Sequence, residues 1–167
     1  MSETLEQFAS DCQRFLKEQP GPAGRAKVVQ RLQELLQDQE FIDTYVGEDT
    51  PSRKVLYEDS DLGFAVLAHR YEGPADSKPH DHGPTWAIYG QASGETEMTE
   101  WELVEPASED KPGKVRPKRV EVLKPGMAHL YNEGDLHSPR RADSTRLIRI
   151  EGRNMDGVKR FSYEPIA

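Results

Sequence analysis

A mainly β fold with an N-terminal helical segment is predicted for this 167-residue chain by three features of its sequence. Apolar residues recur at helical spacing up to about residue 45. From about residue 53 they alternate with a period of two. Beyond that point short apolar runs are set off at near-regular intervals by Gly, Pro and Asp clusters, the pattern of a sandwich or barrel.

At the N-terminus, Thr4 followed by Gln7 fits a capping box, and Leu5, Phe8, Cys12, Phe15 and Leu16 share one helical face. Gln19-Pro20-Gly21-Pro22 ends that helix, because proline has no N–H to donate and disfavours helix in the residue before it. A second amphipathic stretch follows, with Val28, Val29, Leu32, Leu35 and Leu36 on one side. Both stretches read as helices packed on the outside of the remaining chain. The expected organisation is residues 1–45 as helices and 46–167 as a β-barrel, within one domain. In the first strand, Phe64, Val66, Ala68 and Arg70 alternate with Ala65, Leu67 and His69. Further strands are expected over 86–89, 95–103, 119–123, 128–131, 145–151 and 158–163. Residues 105–119, EPASEDKPGKVRPKR, are charged and proline-rich and read as a long exposed hairpin loop.

Charge and composition narrow the function. Lys plus Arg number 22 against 30 Asp plus Glu, a formal charge of −8, whereas nucleic acid and anionic membranes call for a basic surplus. No apolar run approaches the length of a membrane span. The acidic start MSETLEQFASDCQRF differs from a signal peptide, and Cys12, the single cysteine, has no partner for an internal disulfide. A cytoplasmic protein is expected, with a small molecule as its partner; the oligomeric state is left open.

The chemistry lies in the histidines. His80-Asp81-His82 puts two imidazoles on one face if the segment is extended, so both can meet one metal ion. After His82 come four residues, then Ala87, then six more, then Gly94. Downstream, a Pro125-Gly126 turn leads into a short strand, and Gly134-Asp135-Leu136-His137 closes it. These two stretches resemble the two motifs of the cupin superfamily, with Ala87 standing where the first motif usually has a glutamate. The resemblance covers roughly residues 53–151 and implies a double-stranded β-helix barrel with a metal in its mouth, held by His80, His82 and His137. His129 and His69 read as packed or structural residues. Trp86 reads as core, with a place in the pocket lining as the alternative.

Three neutral imidazoles leave the charge of a divalent ion uncompensated, so its open positions favour anions. Zinc at such a site would activate water, whereas iron(II) would hold an anionic substrate beside O₂, and donor atoms alone do not choose between them. Within cupins, three-histidine sites are typical of thiol dioxygenases such as cysteine dioxygenase and 3-mercaptopropionate dioxygenase, which the segment from Ser77 to Gly83 resembles. That implies Fe(II), with O₂ as co-substrate and a small thiol or carboxylate as substrate, although Zn, Ni and Mn share the same donors. Such enzymes hold the substrate carboxylate with an upstream arginine, and Arg53, 27 residues before His80, falls near that place. A cysteine that crosslinks to tyrosine in some of them has no counterpart at Ala87.

The chain departs from those enzymes downstream. They carry a Ser-x-His-x-Tyr triad after the third ligand, whereas no histidine follows His137 here. If Leu147, Arg149 and Glu151 face inward, an Arg149–Glu151 pair replaces the triad, either as carboxylate anchor or as a structural ion pair. Tyr163 and Tyr131 are candidates for a phenol near the metal. The alternatives are a three-histidine cupin acting on a non-thiol substrate and a metal-binding cupin without catalysis.

Overall fold

The computed structural model describes residues 4–166. Helix α1 (Leu5–Glu18) opens on the expected reciprocal cap: the Gln7 amide donates to the Thr4 hydroxyl and the Thr4 amide to the Gln7 side chain. Gln19 caps its C-terminus, and Pro22 takes the first position of α2 (Pro22–Leu35), where a missing N–H costs nothing. A third helix that periodicity did not separate, α3 (Gln39–Tyr45), starts where the Asp38 carboxylate accepts from the Phe41 amide.

Ten strands follow: β1 (Arg53–Glu58), β2 (Ala65–Tyr71), β3 (Ala75–Asp76), β4 (Ala87–Ser93), β5 (Thr96–Glu105), β6 (Gly113–Leu123), β7 (Ala128–Tyr131), β8 (Leu136–Arg141), β9 (Thr145–Glu151) and β10 (Tyr163–Pro165). They form two five-stranded sheets, ordered β1-β2-β9-β4-β7 and β10-β6-β5-β8-β3. After β2 the chain passes from one sheet to the other at nearly every step, and the β5–β6 hairpin is the main exception. This mainly β architecture is the one expected.

The first sheet is buried on both sides. Phe64, Val66, Ala68, Ile88, Ile148 and Ile150 meet Phe8, Cys12, Val28, Leu32, Leu35 and Phe41 of the helices in one apolar cluster. Trp86 belongs to that cluster, with the Arg25 guanidinium over its ring. At Gly90 a side chain's Cβ would stand 2.7 Å from Leu32 Cδ2, so glycine lets α2 lie directly on β4. The opposite face carries Ala65, Leu67, His69, Ala87, Tyr89, Leu147, Arg149 and Glu151, which strand alternation turns inward. No helix among the described residues is long and apolar enough to cross a membrane.

Two expectations about strands are corrected, and β1, β3 and β8 lie outside the strands expected. Residues 105–119 divide in two: 106–112 form the expected loop, whereas β6 starts at Gly113 and exposes successive charged residues. Arg116 meets Glu102 at 2.9 Å and Arg119 meets Glu100 across the hairpin, which makes a polar strand look like a loop in composition alone. Residues 158–163 are irregular until Tyr163, which starts β10 parallel to β6. Their apolar members stay partly in solvent, Phe161 at 49% exposure, so no inner face orders them. Strand β8 went unseen because its Ser-Pro-Arg-Arg sequence carries no alternation.

Candidate metal centre

The paired motif histidines sit at the seam between the sheets. His80 forms an isolated bridge with His137: each backbone amide donates to the other's carbonyl at 2.9 Å. Beyond it the chain leaves the ladder, so His82 stands in a loop rather than on a strand. Asp81 accepts from the Gly83 amide at 3.0 Å, and Gly83 at φ +57° makes the turn that a side chain would strain. His137 lies on β8. The candidate ligand atoms of His80, His82 and His137 all fall within 4.8 Å of one another.

Their protonation is arranged for metal binding. The His80 Nδ1–H donates to the Lys78 carbonyl at 2.8 Å, and the His137 Nδ1–H donates to the Asp135 carbonyl at 2.9 Å. A carbonyl only accepts, so these bonds fix the tautomer and leave each Nε2 a lone pair. Burial also keeps the rings uncharged. It lowers the His80 pKa to about 4 and pushes His82 and His137 further down, helped by their mutual charge and by Arg149. Neutral, oriented imidazoles in a buried cluster fit a divalent transition metal.

Two tyrosines surround this group. Tyr131 stacks on His137, ring centroids 4.1 Å apart, and meets Tyr89 edge to face at 5.4 Å. The Tyr89 hydroxyl stands 3.0 Å from His82 Nε2 and 3.2 Å from His137 Nε2. Sequence reasoning missed Tyr89. An aromatic in an alternating strand reads as core, yet it shares the inward face with Ala87 two residues away.

His80 and His82 line a cavity of about 1140 Å³ that Arg149 and Arg53 also border, together with Glu151 and other acidic residues. Arg149 projects inward from β9 with its guanidinium 4.4 Å over the Tyr89 ring, and its Nη1 stands 3.7 Å from Glu151 Oε1. Burial opposes that charge, but Tyr89, Tyr71 and Glu151 outweigh it and hold the arginine above its ordinary value. Its Nε is buried without a partner. Arg53 also lines the cavity and donates to Asn154 Oδ1 at 2.7 Å. Glu151 accepts from the Met155 amide at 3.2 Å, which ties down the start of a segment that lines the cavity.

Other residues singled out by the sequence fall elsewhere, or play a different part. Tyr163 reaches the cavity rim but packs with Val115 and Leu136, and its polar neighbour is Asp81 rather than the histidines. His129 lies outside the group, between Glu121 at 3.3 Å and Glu100 at 3.7 Å. His69 is more than a structural residue. It lines the cavity with Nε2 buried and unpartnered, and burial beside Arg149 and Arg53 lowers its pKa to about 2. Cys12 is buried in the helix-facing cluster, away from the site.

No protein-family model and no curated protein matches this chain. Among solved structures it is similar to KdgF from Halomonas sp., at 19% identity over 62% of this chain and 80% of that one, with a TM-score of 0.45. It is also similar to a cupin superfamily protein from Desulfitobacterium hafniense, at 10% identity over 62% and 77% of the two chains, TM-score 0.42. A cupin-2 domain containing protein from Shewanella frigidimarina is similar at 14% identity over 67% and 88%, TM-score 0.43. At such identities these likenesses carry no activity to this chain.

Proposed function

We propose that this chain is an iron(II)-dependent dioxygenase that adds O₂ to a small thiol bearing a carboxylate and gives a sulfinate. The observation that carries the reading is the convergence of three neutral imidazoles, two of them lining a cavity that the buried Arg149 guanidinium also borders. Iron(II) bound by His80, His82 and His137 would supply positions at which a thiolate and O₂ meet.

The protein's own contribution is orientation and charge. Lys78 and Asp135 carbonyls aim the His80 and His137 rings. Arg149 offers a planar fork to a carboxylate, and its buried, unpartnered Nε is a donor that a bound anion would satisfy. Glu151 beside it limits the charge available and favours a monoanionic carboxylate over a bulkier polyanion. Arg53 and the neutral His69 border the same space. The motif resemblance to thiol dioxygenases supports the reading, and the Arg149–Glu151 pair stands where their triad would be. A cytoplasmic location belongs to the same proposal, supported by the single cysteine.

Oxygen consumption by the iron-loaded protein tests it. Uptake dependent on cysteine or 3-mercaptopropionate, with matching sulfinate, is expected. Uptake with sulfur-free carboxylates alone, or none across a panel of small thiols, would contradict it.

A further inference from the structure

The buried phenol of Tyr89 is not explained as packing. It is completely enclosed, yet its oxygen points away from the apolar wall into the group of imidazole nitrogens. The His82 and His137 Nε2 atoms are themselves only 3.2 Å apart. The His137 Nε2 is a lone pair, because its other nitrogen spends its proton on the Asp135 carbonyl. Two ring nitrogens and a phenol oxygen therefore crowd together, while the His82 Nδ1 is buried without a partner and is free to hold that ring's proton, an arrangement that presents all three atoms to a cation at their centre.

The separations are those of ligands around one ion. Donors about 2.1 Å from a metal stand about 3.0 Å apart at a right angle and about 3.4 Å apart at the tetrahedral angle. The three edges linking Tyr89 O, His82 Nε2 and His137 Nε2 measure 3.0, 3.2 and 3.2 Å. Ala87, which lies on the same inward face, offers no donor, and Tyr89 is the next inward residue along β4. Burial holds the Tyr89 phenol above its ordinary pKa in the metal-free protein, the Arg149 guanidinium over its ring opposes that, and a bound cation would supply the remaining stabilisation of the phenolate.

Resting on the three-histidine reading, we propose that Tyr89 is a fourth metal ligand, binding as phenolate and supplying the one anionic protein donor of the site. On binding, the phenol O–H bond breaks, an O–metal bond forms and the proton leaves to solvent, with no change of oxidation state. One unit of the ion's charge is thereby cancelled from within the protein. With six positions, two remain for exogenous ligands.

The test is spectroscopic. Wild type, Tyr89→Phe and Tyr131→Phe are loaded with ferrous iron and oxidised in air, and iron content is measured on the same samples as the visible spectrum. Wild type and Tyr131→Phe are expected to show a phenolate-to-iron(III) charge-transfer absorption, and Tyr89→Phe to lose it. Iron-loaded wild type without the absorption overturns the fourth ligand and leaves the three histidines standing. So does an absorption that survives in Tyr89→Phe, or one lost in Tyr131→Phe. A wild type that takes up no iron overturns both readings. Zinc titration of wild type gives a second measurement that needs no variant: one tyrosinate difference spectrum per zinc is expected, and its absence overturns the proposal.

Discussion

At the scale of single residues, the site is defined by which protons are already committed. Lys78 and Asp135 take the Nδ1 protons of His80 and His137, so two of the three lone pairs exist before any metal arrives. Arg149 is held in the opposite way, with a buried charge and an incomplete set of partners. Such a group is set to receive an anion. Arg149→Gln is expected to raise KM for 3-mercaptopropionate by roughly tenfold to a hundredfold, the value of one charged hydrogen-bonding contact, with a smaller fall in kcat. Cysteamine, which has the thiol without the carboxylate, should be used no less well by the variant than by wild type. Steady-state kinetics with both thiols checks this, and an equal loss for both would assign Arg149 to the wall rather than to the substrate.

At the scale of elements, the sheet shared with the helices is what keeps β4 and β9 in place, and those two strands carry Tyr89 and Arg149. Leu32 from α2 fills the space above Gly90 and is fully buried. Leu32→Ala is expected to lower unfolding stability by about 2–5 kcal/mol in urea titration, through lost transfer energy and the cavity left behind. Legibility differed from element to element for physical reasons. Helices α1 and α2 could be read because capping and proline chemistry are local. Strands β2 and β9 could be read because apolar side chains recur along them, even though both faces are buried. Strand β8 and the first half of β6 were hidden because their pairing rests on cross-strand partners and ion pairs that no local window contains. The histidines were legible as two spaced motifs, but Tyr89 was not, because its meaning depends on the approach of β8 from the other sheet.

At the scale of the whole molecule, burying uncharged histidines ties stability to pH. His69, His82 and His137 all have pKa values lowered in the fold from an ordinary value of 6.5, with burial as the leading cause. The unfolded chain therefore binds more protons as pH falls through 6.5, while the folded chain stays neutral at these rings. Their contribution is complete above that pH and is lost progressively below it, at about 1.4 kcal/mol per pH unit for each ring. Metal-free protein should lose stability steeply between pH 6.5 and 5 in chemical denaturation, and His69→Gln should lessen the slope. A flat profile would mean that the rings are protonated in the fold.

The convergence of His80, His82 and His137 on one ion is measured most directly by metal content after loading with ferrous iron and removing the excess. Wild type and His129→Ala should each retain about one iron per chain, whereas His137→Ala should retain almost none. Equal iron in His137→Ala and His129→Ala, or none in wild type, would contradict a shared three-imidazole centre.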